Sequence, residues 1–135
     1  MPARYLLDTN ICIYISKHYP PEVRARFQQH PASDLAMSVV TLGELRFGAE
    51  KSQSRLRSMA VIEQLETLMA VLPLPVEAAR IYGELQARLQ RQGRPIGNND
   101  LWIAAHALAE GCVLVTNNTR EFERVEGLMV ENWVG

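Results

Sequence analysis

The apolar run Tyr5-Leu6-Leu7 breaks into Asp8-Thr9-Asn10 before Ile11, Cys12, Ile13, Tyr14 and Ile15 resume the apolar pattern. A short run of this kind reads as a strand buried on both faces. Thr9 or Asn10 is placed to cap the helix that follows. Pro20-Pro21 closes that helix, and Pro21 opens a second, Glu22 to Gln29, with Val23 and Phe27 on its apolar stripe. After a turn at Pro31-Ala32-Ser33-Asp34, Leu35 to Val39 forms a second strand, and a helix follows through Val40 to Gly48.

Helical spacing returns between Gln53 and Met69, at Leu56, Met59, Ala60, Ile62, Leu65, Leu68 and Met69. Val71-Leu72-Pro73-Leu74-Pro75 reads as a short strand near a sheet edge, where proline is tolerated. Val76 to Gln92 is a long helix with Ala79, Tyr82, Leu85 and Leu89 inward, ended by Gly93. The turn-rich stretch Gly93 to Asp100 leads into a deeply packed helix, Leu101 to Glu110, capped by Asn98 or Asn99 and stopped at Gly111. Cys112 to Thr116 is another strand of the parallel type, and Leu128-Met129-Val130 is the last. Strands alternating with helices predict one doubly wound α/β unit across residues 1–135: a mostly parallel sheet of four to five strands, helices on both faces and right-handed crossovers.

Composition narrows the class. With 135 residues the chain is long enough for a sizeable core, and its 47% hydrophobic and 21% charged content is that of a water-soluble globule. No apolar run approaches the ~20 residues of a membrane span, and no secretory signal opens the chain. Cys12 and Cys112 lie in apolar surroundings without CxxC spacing, so reduced core thiols and a cytoplasmic home are expected. A net charge of −1 excludes a broad basic footprint for nucleic acid. Any phosphate would be met through a bound cation or a local basic stripe.

The candidate chemistry is acidic. Asp8 stands where the first strand ends, the place where ligands gather in open α/β sheets, although an aspartate also serves to shape a strand–helix turn. On its helix Glu44 shares a face with Val40, Thr41, Phe47 and Gly48, a poor site for a solvated carboxylate. It is either an edge residue or a second acid aimed at Asp8. Asp100, in the first turn of its helix, is favoured there by the helix dipole alone and could equally join the other two. Three carboxylates in one pocket need a cation among them, and hard oxygen donors suit Mg²⁺ or Mn²⁺. Arg80, Arg88, Arg91 and Arg94 mark either a solvated helix face or an RNA-backbone contact. His106 has no partnered motif and reads as a core or edge histidine.

Four segments carry a family resemblance: Leu6 to Ile11, Ser38 to Leu45, Gly93 to His106, and Leu114 to Phe122. Together, in this order, they resemble the PIN-domain ribonucleases, and among those the VapC toxins of bacterial VapBC toxin–antitoxin pairs. The resemblance implies a PIN-like fold over the whole chain. It makes Asp8, Glu44 and Asp100 the catalytic acids that hold Mg²⁺ or Mn²⁺, with Asn10 and Thr116 as polar supports. Where the family often has a fourth acid this chain has Asn118, an amide without charge; Glu121, three residues on, is the nearest carboxylate. The same resemblance implies in-line attack by an activated water on an RNA phosphodiester, tRNA as the substrate, a homodimer, and a VapB-like antitoxin whose C-terminal segment lies across the active-site groove.

Rival readings lack their residues. A receiver-type Mg²⁺-binding signalling domain needs adjacent acids after the first strand and a lysine after the fifth, and the only lysines are Lys17 and Lys51. A haloacid-dehalogenase-like phosphatase would want an aspartate where Asn10 stands, and no GxGxxG follows the first strand for a dinucleotide. A PIN-like module that binds RNA or protein without catalysis remains the alternative.

Overall fold

The structure, a computed structural model, describes residues 3–135. Five strands, β1 (Tyr5–Leu7), β2 (Leu35–Ser38), β3 (Ala70–Leu72), β4 (Val113–Val115) and β5 (Val130–Glu131), form one sheet in the order β3-β2-β1-β4-β5. Every pairing is parallel; Leu6, for example, lies in register with Ala36 on one side and Leu114 on the other. The helices are α1 (Thr9–Lys17), α2 (Pro21–Gln28), α3 (Val39–Glu50), α4 (Arg55–Leu68), α5 (Glu77–Arg91), α6 (Asn98–Glu110) and the short α7 (Thr119–Phe122).

Alternate strand residues feed two cores, which is why the strands read as unbroken apolar runs. Leu6, Ala36 and Leu114 pack beneath α5 and α6 with Leu85, Leu89, Leu101 and Ile103. Leu7, Leu35, Met37 and Val115 pack on the other face with Ile11, Ile15, Phe27, Leu65 and Trp133. Strand order reverses between β1 and β4. The crevice beyond their carboxyl ends is therefore the topological switch point, where such sheets bind ligands.

Several local expectations are corrected. Neither Thr9 nor Asn10 caps α1; Asp8 does, accepting the Thr9 N–H. Neither Asn98 nor Asn99 caps α6: both lie inside its first turn, behind Gly97, which has no side chain to offer. Leu56 is 81% exposed and Ala60 is also outside, because α4 packs through Ile62 and Leu65. On α5 the inward alanine is Ala78, not Ala79. The edge strand expected at Val71 to Pro75 ends at Leu72, before the prolines, and the last strand begins only at Val130. The predicted stops hold: Gly93 and Gly111 take positive φ, and Arg94 N–H reaches back to Leu89 O. His106 is wholly buried, with Nδ1 2.8 Å from Ser38 Oγ, and burial lowers its pKa.

Candidate active site

Asp8 ends β1 at the switch point. Its backbone N–H still joins the sheet, donating to Val115 O at 2.8 Å, while its buried carboxylate turns to two partners. Oδ1 accepts the Thr9 N–H at 2.8 Å, and Oδ2 accepts the Thr116 hydroxyl at 2.7 Å. The turn-shaping role and a place in the crevice thus belong to the same carboxylate. Thr116, fully buried just past β4, also accepts the Asn118 N–H at 3.0 Å.

Glu44 approaches from α3. The Thr9 hydroxyl donates to its Oε1 at 2.5 Å, and the Asn99 amide lies 3.4 Å from Oε2. Opposite, Asp100 sits in the first turn of α6 and Glu121 on α7. Glu121 accepts the Gly97 N–H at 2.9 Å and the Asn118 side-chain amide at 2.7 Å. Gly97 lies between the two acids: a Cβ there would meet Glu121 Oε1 at 3.8 Å and Asp100 Oδ2 at 3.9 Å. Asn10 Oδ1 accepts the Asn117 N–H at 3.3 Å, tying α1 to the loop after β4.

Burial and neighbouring groups shift the ionisation of Asp8, Asp100 and Glu121. Burial pushes the Asp8 carboxyl above the usual range against its hydrogen bonds from Thr116 and Thr9, and Glu44 and Glu121 push in the same direction. Asp100 rises to about 7, first from burial and then from the charges of Asp8 and Glu121. Burial raises Glu121 too, but the Gly97 N–H, the Asn118 amide, Asp100 and Arg124 outweigh it, so its carboxyl lies below the ordinary range. Asp100 is therefore the acid that keeps a proton near neutrality, and Glu121 the one that stays charged.

This donor set fits a small hard cation. It is all oxygen, and its concentrated negative charge suppresses ionisation that a cation would restore. Among the described residues no group of three or more His, Cys, Asp or Glu side chains is arranged to hold a metal ion by itself. An open arrangement of this kind suits an ion that keeps several of its waters and takes one or two carboxylates.

Two partners of Glu44 escaped the sequence reading. Thr9 and Asn99 stand 35 and 55 positions from it, and each has a local explanation as a helix cap. The amide oxygen of Asn118 is not what engages its neighbour; its nitrogen donates to Glu121. The arginines divide. Arg88 pairs with Glu126 at 3.3 Å, and Arg80 pairs with Glu77 and Glu84, as a solvated face would. Arg91 is exposed at the end of α5, and Arg94 lies beyond its exit.

Comparison with known proteins agrees with this geometry. The PIN domain family model matches residues 5–128. Ribonuclease VapC2 of Haemophilus influenzae is 47% identical over 131 residues, 97% of this chain and 98% of its own. The tRNA(fMet)-specific endonuclease VapC of Shigella flexneri is 49% identical over 130 residues, 96% of this chain and 98% of its own. The crystal structure of DNA-bound VapBC from Salmonella typhimurium superposes with a TM-score of 0.92 at 42% identity, covering 98% of this chain and 99% of that one. With its acids gathered at the switch point of a five-stranded parallel sheet, the chain belongs to the PIN-domain family, in its VapC branch.

Proposed function

We propose that the chain is a divalent-metal-dependent endoribonuclease, the toxin of a VapBC-type toxin–antitoxin pair. One observation carries the reading: Asp8, Glu44, Asp100 and Glu121 come from four separate segments and meet at one crevice, Thr9 bonding both Asp8 and Glu44 and Gly97 lying against both Asp100 and Glu121. Asp8, Asp100 and Glu44 would hold Mg²⁺ or Mn²⁺, with Glu121 beside them and Asn118 acting through it. When bound, such an ion lowers the pKa of a water it carries and stabilises charge on a phosphoryl oxygen.

The chain's own residues prepare the rest. Thr116 and the Thr9 N–H fix both oxygens of Asp8, and Thr9 Oγ1 fixes Glu44, so the acids enter the reaction already oriented. The Gly97 N–H and Asn118 keep Glu121 ionised as an acceptor. The reaction is in-line displacement by water at an RNA phosphodiester, without a covalent enzyme intermediate. A relative's tRNA(fMet) specificity makes initiator tRNA the first substrate to test, and its loss would arrest translation.

A VapB-like antitoxin is the matching partner. Next to Glu44 and Thr9 an apolar groove of about 390 Å³ runs between α1, α3 and α4, lined by Ile13, Leu45, Val61, Ile62 and Leu65. Phe47, 66% exposed, stands on the same helix as Glu44. An amphipathic segment with its apolar residues in this groove would cover the acids. The reading includes a homodimer, for which exposed Val39 and Val76 offer apolar surface.

Protein freed of antitoxin should cut initiator tRNA with Mg²⁺ or Mn²⁺ and stop on addition of EDTA. Asp8→Ala and Asp100→Ala should abolish cleavage and growth arrest while the far-ultraviolet spectrum stays native. Equal cutting by wild type and both variants would assign the nuclease to a contaminant.

A further inference from the structure

Outside the acid crevice, Gly93, Arg94, Pro95, Arg120, Glu123 and Arg124 line an open polar groove of about 630 Å³. It gathers three arginines. Arg26, Arg46, Arg55, Arg80 and Arg88 each form an ion pair with a glutamate. Among the described residues, Arg94, Arg120 and Arg124 form no such pair, and only Glu123 opposes them in the groove. In a chain with net charge −1, three guanidiniums without a salt-bridge partner thus stand together in one groove.

That place adjoins the acids. The 93–97 loop is the shared wall: Glu121 holds its Gly97 N–H at 2.9 Å, and Arg124 Nη1 donates to its Pro95 O at 2.7 Å. Arg120 and Glu121 are neighbours on α7, one lining the groove and the other the crevice. Arg124 is half-buried and held by that bond, so its guanidinium is positioned in advance, whereas Arg94 and Arg120 reach out exposed. A planar guanidinium matches two oxygens of a phosphate at once, and three of them along a groove suit a polyanion with spaced phosphates.

We propose that Arg94, Arg120 and Arg124 form a subsite for the backbone phosphates of a single-stranded RNA segment flanking the bond to be cut. The assignment rests on the ribonuclease reading of the acid crevice. It supplies what the net charge withholds: a local, sequence-independent hold on the strand that draws it toward the acids without a basic face over the whole protein. Of the arginines on α5 and its exit, only Arg94 belongs to it.

The test is binding of a fluorescein-labelled single-stranded RNA oligonucleotide in EDTA, where no cleavage occurs, across a series of KCl concentrations. Each phosphate contact contributes roughly 0.7 to the slope of log K against log salt on single strands. The double variant R94Q/R120Q should lose about 1.4 of that slope, and R80Q, whose guanidinium is already paired, should keep all of it. Both arginines changed are exposed, so the fold is expected to survive. An unchanged slope in R94Q/R120Q overturns the subsite, including the case where that variant instead weakens binding of the antitoxin. Cleavage of the same RNA with Mg²⁺ separates the two readings. A wild type that shows the full slope and the loss in R94Q/R120Q, but never cuts, leaves the subsite standing and removes the nuclease. A wild type that cuts while R94Q/R120Q keeps its slope removes the subsite alone.

Discussion

The Thr116 hydroxyl donates to Asp8 Oδ2 across 108 positions of sequence, binding the ends of β1 and β4 at the strand-order reversal. Thr116 Oγ1 also accepts the Asn118 N–H, so one buried hydroxyl serves both the strand end and the loop that carries Glu121. Thr116→Val keeps the shape and removes both bonds. A bond to a charged group contributes about 1.5–3 kcal/mol, and denaturant unfolding should show a loss of that order. Because the hydroxyl also restrains the rise of the Asp8 pKa, Mg²⁺ affinity by calorimetry should fall about tenfold, equivalent to ~1.4 kcal/mol. Thr116→Ser should restore most of both. A Thr116→Val protein with wild-type stability and affinity would show the bond to be idle.

The framework and the acids were legible in sequence for different reasons. β1, β2 and β4 are buried on both faces, so Leu6-Leu7 or Leu114-Val115 announce themselves as strands without any tertiary information. Asp8 is marked by its place at the end of an apolar strand, Glu44 by a helix face where a charge is expensive, and Asp100 by the first turn of its helix, where the dipole alone also accounts for an acid. Thr9 and Asn99 did not, because a hydroxyl or amide at a helix start already has a local explanation; only the fold brings Glu44 to them. Leu56 failed for the opposite reason: it follows the helical period of α4 but sits at its first turn, beyond the reach of the core.

Asp100 should control the pH dependence of the metal-free protein. Its folded pKa, about 7, lies above the ordinary 3.8 of a free aspartate carboxyl. Between those values the folded state binds the extra proton, so this group's contribution to stability is full below pH 3.8 and is lost as pH rises through 7. Asp8 is raised as well and works in the same direction, whereas Glu121, lowered, works in the opposite one and only at acid pH. In EDTA the wild-type melting temperature should therefore decline from pH 5 to pH 8 relative to Asp100→Asn. At pH 8 the variant should be more stable by about 2 kcal/mol after allowance for solvent screening in the open crevice. Mg²⁺ should reverse the order at pH 8 by stabilising the wild type alone. A variant that melts below the wild type in EDTA at pH 8 would contradict the assignment of the retained proton.

Asn118→Asp tests the missing fourth charge. Asn118 Nδ2 donates to Glu121 Oε2 at 2.7 Å, so the substitution sets a carboxylate against a carboxylate. Without metal the loop should lose about 1–2 kcal/mol at pH 8, the loss of a hydrogen bond plus like-charge repulsion. With Mn²⁺ the added charge should tighten binding several-fold. If calorimetry finds the metal affinity unchanged, position 118 stands outside the ion's reach and acts only through Glu121.

Trp133 closes the chain against the core and permits a cleaner separation of forces. It is 1% exposed, stacks on His30 at 5.5 Å between ring centroids, and donates Nε1–H to Glu131 Oε1 at 2.8 Å. Glu131 also accepts from Arg26 at 2.6 Å, so it stays satisfied when the indole N–H is removed. Trp133→Phe retains much of the packing and should lose only about 1 kcal/mol. Trp133→Ala opens a cavity beside Phe27 and Leu7 and should lose about 3–5 kcal/mol. The Trp133 ring packs on Tyr5 and His30 and makes none of the hydrogen bonds that hold the acids. Trp133→Phe should therefore leave kcat and Mg²⁺ affinity at wild-type values. If Trp133→Phe unfolded as readily as Trp133→Ala, the hydrogen bond rather than the buried ring would be what secures the C-terminal segment.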